Sequence, residues 1–298
     1  MSTPSHARQT PGLHPYSALT PDLVVEAIEA VGYASDGRVL ALNSYENRVY
    51  QVGRDDSTPV VVKFYRPGRW STPAILEEHE FALELARAEL PIVAPEVHVG
   101  RTLFELGGFR YAVYPRQGGR WPELGTKDDR VWMGRFLARI HAIGRTRAFH
   151  HRPRLDWRAM GLETADYLLD QGWIPPHLEA AYESLVEDVL GLVERRFAEA
   201  TPYRTLRLHG DCHPGNVLWT DAGPHFVDLD DCMTGPAVQD LWMLLSGRPE
   251  EMSAQLHDLL EGYAEFADLD HHEISLIEPL RTLRIMHYAG WLARRWDD

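Results

Sequence analysis

Cysteine is scarce: Cys212 and Cys232 are the 2 in 298 residues. Two cysteines in a chain of this length make no disulfide framework, so a reducing, cytoplasmic setting is expected. Basic residues are also short, 30 Lys and Arg against 44 Asp and Glu, for a formal net charge of −14. Binding to nucleic acid or to an anionic membrane needs clustered Lys and Arg, and neither partner is expected. No apolar run reaches the length of a membrane span. The opening stretch MSTPSHARQTPGLHPYSAL lacks the apolar core of a signal peptide. There is no internal repeat. What is present is ordinary, 44% hydrophobic and 25% charged, and the length suffices for one large domain or two lobes with real cores.

Read in order, residues 1–18 form a flexible tail rich in Ser, Thr, Pro and His. Thr20-Pro21-Asp22 then starts a helix, with Leu23, Val24, Ala27, Ile28 and Val31 as its apolar face and Gly32 as its stop. Residues 38–65 alternate as three antiparallel strands, joined first by the turn Asn43-Ser44-Tyr45-Glu46-Asn47 and then by a polar loop from Gly53 to Thr58. Lys63 interrupts the third strand. A helix follows, capped by Ser71 or Thr72 and lined with Glu77, Glu78, Glu80 and Glu84. Residues 103–114 read as a hairpin, and the turn-rich Pro115 to Gly119 marks a lobe boundary. Beyond it the patterns are helical at 128–144, 157–171, 176–198, 237–246, 250–266 and 272–296, interrupted by one hairpin. Formal charge is uneven, −3 for residues 1–118 and −11 for residues 119–298.

That hairpin lies in Leu208 to Asp231, LHGDCHPGNVLWTDAGPHFVDLDD. Val217-Leu218-Trp219 and Phe226-Val227 are the apolar runs, and Asp221 to Pro224 is the turn. Asp211 and Asn216 then fall in the loop before the first strand and Asp228 just past the second. Two carboxylates and an amide oxygen converge, an oxygen set suited to magnesium with a base to spare, which phosphoryl transfer needs. A structural zinc site on His209, Cys212 and His213 lacks a fourth ligand unless Cys232 folds back, and Gly210 and Pro214 break the helix that such spacing wants. Lys63 poses a second question. A lysine in an apolar strand is costly unless it is paired or at an edge. Glu77, Glu78 and Glu80 of the next helix compete as partners.

The His209-Gly210-Asp211 loop with Asn216, its hairpin and Asp228 resembles the aminoglycoside-phosphotransferase branch of the protein-kinase-like fold. LNSYENRVY (42–50), VVKFYRPGRW (61–70), ILEEHEFALEL (75–85), RLHGDCHPGNVLW (207–219) and FVDLDDCMTGPAVQDLWMLLSG (226–247) are similar, in that order, to the bacterial stress response kinase A family. The resemblance implies an α+β, two-lobed protein-kinase-like fold. A small antiparallel-sheet lobe (19–115) would bind the nucleotide, and a large, mostly helical lobe (116–298) would carry catalysis and the acceptor.

It further implies ATP and Mg2+ as cofactors and a protein acceptor bearing a Ser or Thr hydroxyl. Asp211 would accept the hydroxyl proton, Asn216 and Asp228 would hold magnesium, and His209 would brace the loop. Lys63 would hold the phosphates, with Glu78 as its partner by family spacing. Ser44 and the amides of its turn would meet the phosphates, although this turn lacks the glycine-rich pattern of eukaryotic kinases and also reads as an ordinary hairpin turn. Tyr111 to Arg116 would be the adenine hinge, with Tyr114 at the nucleotide. Asp240 would anchor its helix to the catalytic loop. Asp230 and Asp231 either cap a turn or help position metal. No Ala-Pro-Glu follows Asp228, so control by an activation loop is not expected. A small-molecule kinase and a non-catalytic ATP-binding regulator share the same machinery. Residues 145–205, which help form the acceptor site, do not reveal the acceptor. The net −11 of the larger part suggests acceptors with nearby Lys or Arg.

Overall fold

A computed structural model describes residues 14–55 and 58–296. The chain forms two compact units. The first takes in the described residues of Met1–Trp70, Glu96–Arg116 and Arg294–Asp298; the second comprises Ser71–Pro95 and Gln117–Ala293.

The first unit begins with α1, Pro21–Ala30, capped by the Thr20 hydroxyl, which accepts the Leu23 N–H. Strands β1 (Ser35–Ala41), β2 (Arg48–Arg54), β3 (Val60–Phe64), β4 (Phe104–Leu106) and β5 (Phe109–Pro115) form one antiparallel sheet in the order β1-β2-β3-β5-β4. Strand alternation sorts the side chains. Val60, Val62 and Phe64 of β3 and Phe109, Tyr111 and Val113 of β5 pack with Val24, Ala27 and Ile28 of α1. Lys63 and Tyr114 therefore lie on the opposite face, where Lys63 pairs in register with Ala112 and Val61 with Tyr114. Of the stretch expected to be a flexible tail, residues 1–13 lie outside the described part. Tyr16 is buried in this core, and its hydroxyl donates to the Phe64 carbonyl at 3.3 Å, so the end of that stretch is docked.

The second unit starts with α2, Thr72–Arg87, capped by Ser71, whose hydroxyl accepts the Ala74 N–H. It continues through α3 (Lys127–Gly144), a π-turn at Arg158–Leu162 running into α4 (Glu163–Asp170), and α5 (Glu179–Ala200). Then come β6 (Leu206–Leu208), β7 (Val217–Thr220), β8 (Gly223–Phe226), β9 (Met233–Gly235), α6 (Val238–Trp242), α7 (Pro249–Tyr263) and α8 (Ile277–Ala293). Residues 71–95, expected to belong with the sheet, fall in this unit. Here Phe81 and Leu85 of α2 join Met133, Leu137, Val217 and Phe226 in one core. Each such fully buried side chain contributes roughly 1.5–3 kcal/mol. The segment after α2 also bonds to β8, Phe226 N–H to Pro91 O at 2.8 Å and Val93 N–H to Phe226 O at 2.9 Å. Helices α3 and α7 touch where a Cβ at Gly262 would lie 1.9 Å from Val131 O, so no larger residue fits that crossing.

The second unit is less purely helical than expected. Strands β6 and β9 pair antiparallel, Leu206 with Gly235 and Leu208 with Met233. Residues 237–246, read as one helix, hold only the short α6, and the last expected helix starts as a 3-10 segment at His271–Leu276. Among the described residues no helix is long and apolar enough to cross a membrane.

Candidate active site

The loop between β6 and β7 carries His209, Gly210, Asp211 and, in a 3-10 turn, Asn216. Asp240 of α6 fixes its start. One carboxylate oxygen accepts the Gly210 N–H at 2.8 Å, and the other accepts the His209 N–H at 2.9 Å and meets His141 Nε2 at 3.1 Å. Asp240 and His141 are completely buried. A buried carboxylate with several donors is stable where a bare one is not. Gln239 adds a bond from its Nε2 to the Gly210 carbonyl at 3.0 Å. Gly210 has φ +84, and a Cβ there would lie 2.2 Å from Asp231 O, so backbone conformation and space both require glycine.

Asn216 is tied to Asp211 and to Val227. Its Nδ2 donates to the Asp211 carbonyl at 3.0 Å and to Asp211 Oδ2 at 3.3 Å. Its backbone carbonyl accepts the N–H of Val227, the residue before Asp228, at 3.0 Å. His209 Nε2 donates to the Val227 carbonyl at 3.0 Å, bracing the same corner. Asp228 itself has φ 58 and ψ 69, the left-handed region that non-glycine residues seldom adopt. With its amide nitrogen committed to Asp211, Asn216 has its oxygen left as the atom able to bind a cation. One amide oxygen and one carboxylate suit magnesium, which takes most of its ligands from phosphates and water. No cluster of three or more His, Cys, Asp or Glu side chains among the described residues is arranged to hold a metal.

Asp211 is mostly buried. Burial pushes its pKa up, but the His213 contact to Oδ2 at 3.4 Å and the Arg284 guanidinium on Oδ1 at 2.8 Å outweigh that and hold it at about 2. Arg284, from α8, was not legible in the sequence. Nothing local marks it, because only the fold brings α8 to this loop. His141 and Gln239 were equally silent.

The glutamates of α2 separate clearly. Glu77 accepts the backbone N–H groups of His150, His151 and Arg152 at 2.7, 2.7 and 2.9 Å. Burial raises its pKa, and these three donors overcome that and bring it below the ordinary carboxylate value. The chain Glu77 holds runs alongside β9, where Leu155 N–H bonds Thr234 O at 2.8 Å. Arg152 continues inward, donating to the carbonyls of Asp230 and Cys232. Glu80 pairs with Arg147 at 2.9 Å on the surface. Glu78 is buried. Cys212 and Cys232 are buried free thiols of the core, and burial pushes both pKa values up.

In the first unit Lys63 is buried on β3, which is flanked by β2 and β5, so it is no edge lysine. Its Nζ lies 4.9 Å from the Tyr65 ring centre, and the Tyr65 hydroxyl meets that of Tyr114 at 3.0 Å. Ser44 staples its own turn. Its hydroxyl donates to Asn47 O at 3.0 Å and accepts the Val49 N–H at 3.2 Å, which is the hairpin-turn role.

The phosphotransferase enzyme family matches residues 38–274. Stress response kinase A of Escherichia coli (strain K12) is 46% identical over 283 residues, covering 95% of this chain and 85% of that protein. Serine/threonine protein kinase RdoA of Salmonella typhimurium (strain LT2) is 45% identical with the same coverage of 95% and 85%. Among solved structures, amicoumacin kinase hAmiN in complex with AMP-PNP, Ca2+ and Ami matches with a TM-score of 0.75 at 19% identity, over 93% of this chain and 87% of that one. A microcompartment-associated aminopropanol kinase matches with a TM-score of 0.68 at 19% identity, over 90% and 89%. These two likenesses show the kinase-like fold, an antiparallel sheet with a mostly helical part. With its match to the phosphotransferase enzyme family and its close full-length relatives, the chain belongs to the stress response kinase A family.

Proposed function

We propose that this protein is an ATP- and magnesium-dependent kinase that transfers the γ-phosphoryl group to a Ser or Thr hydroxyl of a protein, in the cytoplasm and in a stress response. The observation that carries the reading is the corner where the Asn216 side chain bonds Asp211 and its backbone bonds Val227, the residue before Asp228. The names of the relatives support the protein acceptor and the stress setting.

Magnesium-ATP, when bound, supplies the phosphoryl group and offsets its charge. Asn216 and Asp228 hold the metal. Asp211 orients the acceptor hydroxyl toward phosphorus and takes its proton as the oxygen–phosphorus bond forms and the bond to ADP breaks. A carboxylate is too weak a base to ionise an alcohol beforehand, which suits a loose transition state in which the proton leaves late. Lys63 binds the phosphates and takes Glu78 as its partner. Its burial on a central strand and the engagement of Glu77 and Glu80 elsewhere support that choice. The amides of the Ser44 turn meet the phosphates, and Tyr114 lies at the adenine. The unit that carries the five-stranded sheet binds the nucleotide, and the unit that carries Asp211 performs catalysis.

A second reading, a small-molecule kinase, is favoured by the solved structures of the same fold, whose names are those of amicoumacin and aminopropanol kinases. Labelled ATP offered with magnesium and either Ser/Thr protein acceptors or aminoglycosides and amino alcohols separates the two. Label on protein alone supports the first reading; label on the small molecules alone replaces it.

A further inference from the structure

The contact between Arg284 and Asp211 poses a problem for catalysis. Asp211 Oδ1 has no solvent exposure, and the Arg284 guanidinium lies 2.8 Å from it. Oδ2 is occupied as well, by Asn216 Nδ2 at 3.3 Å and His213 Nε2 at 3.4 Å. An acceptor hydroxyl must come within hydrogen-bond reach of this carboxylate. Asn216 cannot leave without undoing the loop. Arg284 and His213 are both partly exposed, at 41% and 38%, but His213 belongs to the loop itself and Arg284 stands outside it on α8, so Arg284 is the group free to leave. Once displaced, it retains its charge at every relevant pH and needs a new anionic partner. The group best placed to supply one is the incoming acceptor.

Resting on the reading of Asp211 as the residue that receives the acceptor hydroxyl, we propose that Arg284 is an acceptor-recognition residue. Its guanidinium caps Asp211 in the free enzyme and passes to a carboxylate beside the acceptor hydroxyl, so the favoured acceptor is a Ser or Thr flanked by acidic residues. This reverses the expectation drawn from net charge. The −11 of residues 119–298 is a sum over the whole stretch, and charges beyond about 8 Å are screened at physiological salt. Arg284 is one positive charge at the reacting group itself, and local charge decides which acceptor fits.

The test uses one Ser-containing peptide in three forms, with Glu, Gln or Lys on both sides of the serine, and free L-serine as a small hydroxy acid. Phosphoryl transfer and binding of the fluorescein-labelled peptides are both measured for wild type, Arg284→Ala and Arg284→Lys, after thermal melts confirm folding. Wild type is expected to prefer the Glu peptide. Arg284→Ala raises KM for that peptide by about 10- to 100-fold, the range for a lost charged hydrogen bond, and removes the preference for the Glu over the Gln peptide. Arg284→Lys restores part of the loss, which a purely structural role would not produce.

Equal losses on all three peptides, or a wild type that ranks the Lys or Gln peptide first, overturn the proposal. So does Arg284-dependent labelling of free serine with none of the peptides labelled. Transfer that ignores both flank and residue 284 leaves the kinase reading intact and removes this one. Arg284-dependent binding of the Glu peptide without any transfer does the reverse.

Discussion

Asp240 Oδ1 accepts the backbone N–H of Gly210 at 2.8 Å, fixing the residue immediately before Asp211 from a helix thirty positions later in the chain. The same carboxylate also takes the His209 N–H and meets His141. Asp240→Asn turns one acceptor oxygen into a donor facing other donors. The expected cost is about 1–3 kcal/mol for the buried group left unsatisfied. In a chain of this size that is a fall in melting temperature of about 2–4 °C per kcal/mol, with a loss of phosphoryl transfer larger than the loss of stability explains. Glu80→Gln is the control. Its ion pair with Arg147 has both side chains more than 60% exposed, and the expected change is under about 1 kcal/mol. Thermal melts of the two variants side by side check this.

Gly210→Ala combines a left-handed backbone with a Cβ only 2.2 Å from the Asp231 carbonyl carbon's oxygen, which is backbone and cannot swing away. The expectation is a loss above about 2 kcal/mol from strain and displacement together. Denaturant unfolding measures it, and Gly125→Ala, with nothing within 4 Å of the added carbon, serves as the comparison.

These two positions also show what was readable in advance. Thr20-Pro21 and Ser71-Thr72-Pro73 declared their helix starts, because capping chemistry is local. The hairpin of β7 and β8 and the contact of Asp211 with Asn216 were legible for the same reason: turn and loop residues lie within a short stretch. Strands β6 and β9 were not. Each has three residues, too few to show alternation, and their pairing joins segments on either side of the hairpin. Arg284, His141 and the three-way grip of Glu77 were invisible because they reach their partners through tertiary packing. Glu78 was favoured over its neighbours on family spacing, and Glu77 and Glu80 prove to be engaged elsewhere.

Glu273 is buried below α6 and accepts the Val238 N–H at 3.0 Å. Burial raises its pKa from 4.5 to about 7, against the pull of that backbone donor. The folded state therefore keeps a proton that the unfolded chain has released, and stability falls as pH rises from about 4.5 to 7. Glu273→Gln removes this dependence while keeping an acceptor for Val238. The variant should gain on wild type between pH 5 and pH 8 by about 1–3 kcal/mol. Urea unfolding across that pH range is the measurement, and a constant difference between the two proteins contradicts it.

Cys212 and Cys232 lie in the core with raised pKa values. Thiolate is the reactive form, so both should resist a thiol reagent in the native state and react fully once the chain is unfolded. Counting modified thiols by mass before and after denaturation tests this. Rapid native labelling contradicts the placement.

In the proposed reaction Asp211 receives the hydroxyl whose oxygen takes the phosphoryl group. The direct measurement is transfer of label from γ-labelled ATP to a Ser-containing acceptor by wild type and Asp211→Asn, each checked for stabilisation by magnesium-ATP. The account predicts that Asp211→Asn loses at least about 100-fold in transfer while magnesium-ATP still raises its melting temperature. Transfer at the wild-type rate by Asp211→Asn contradicts it.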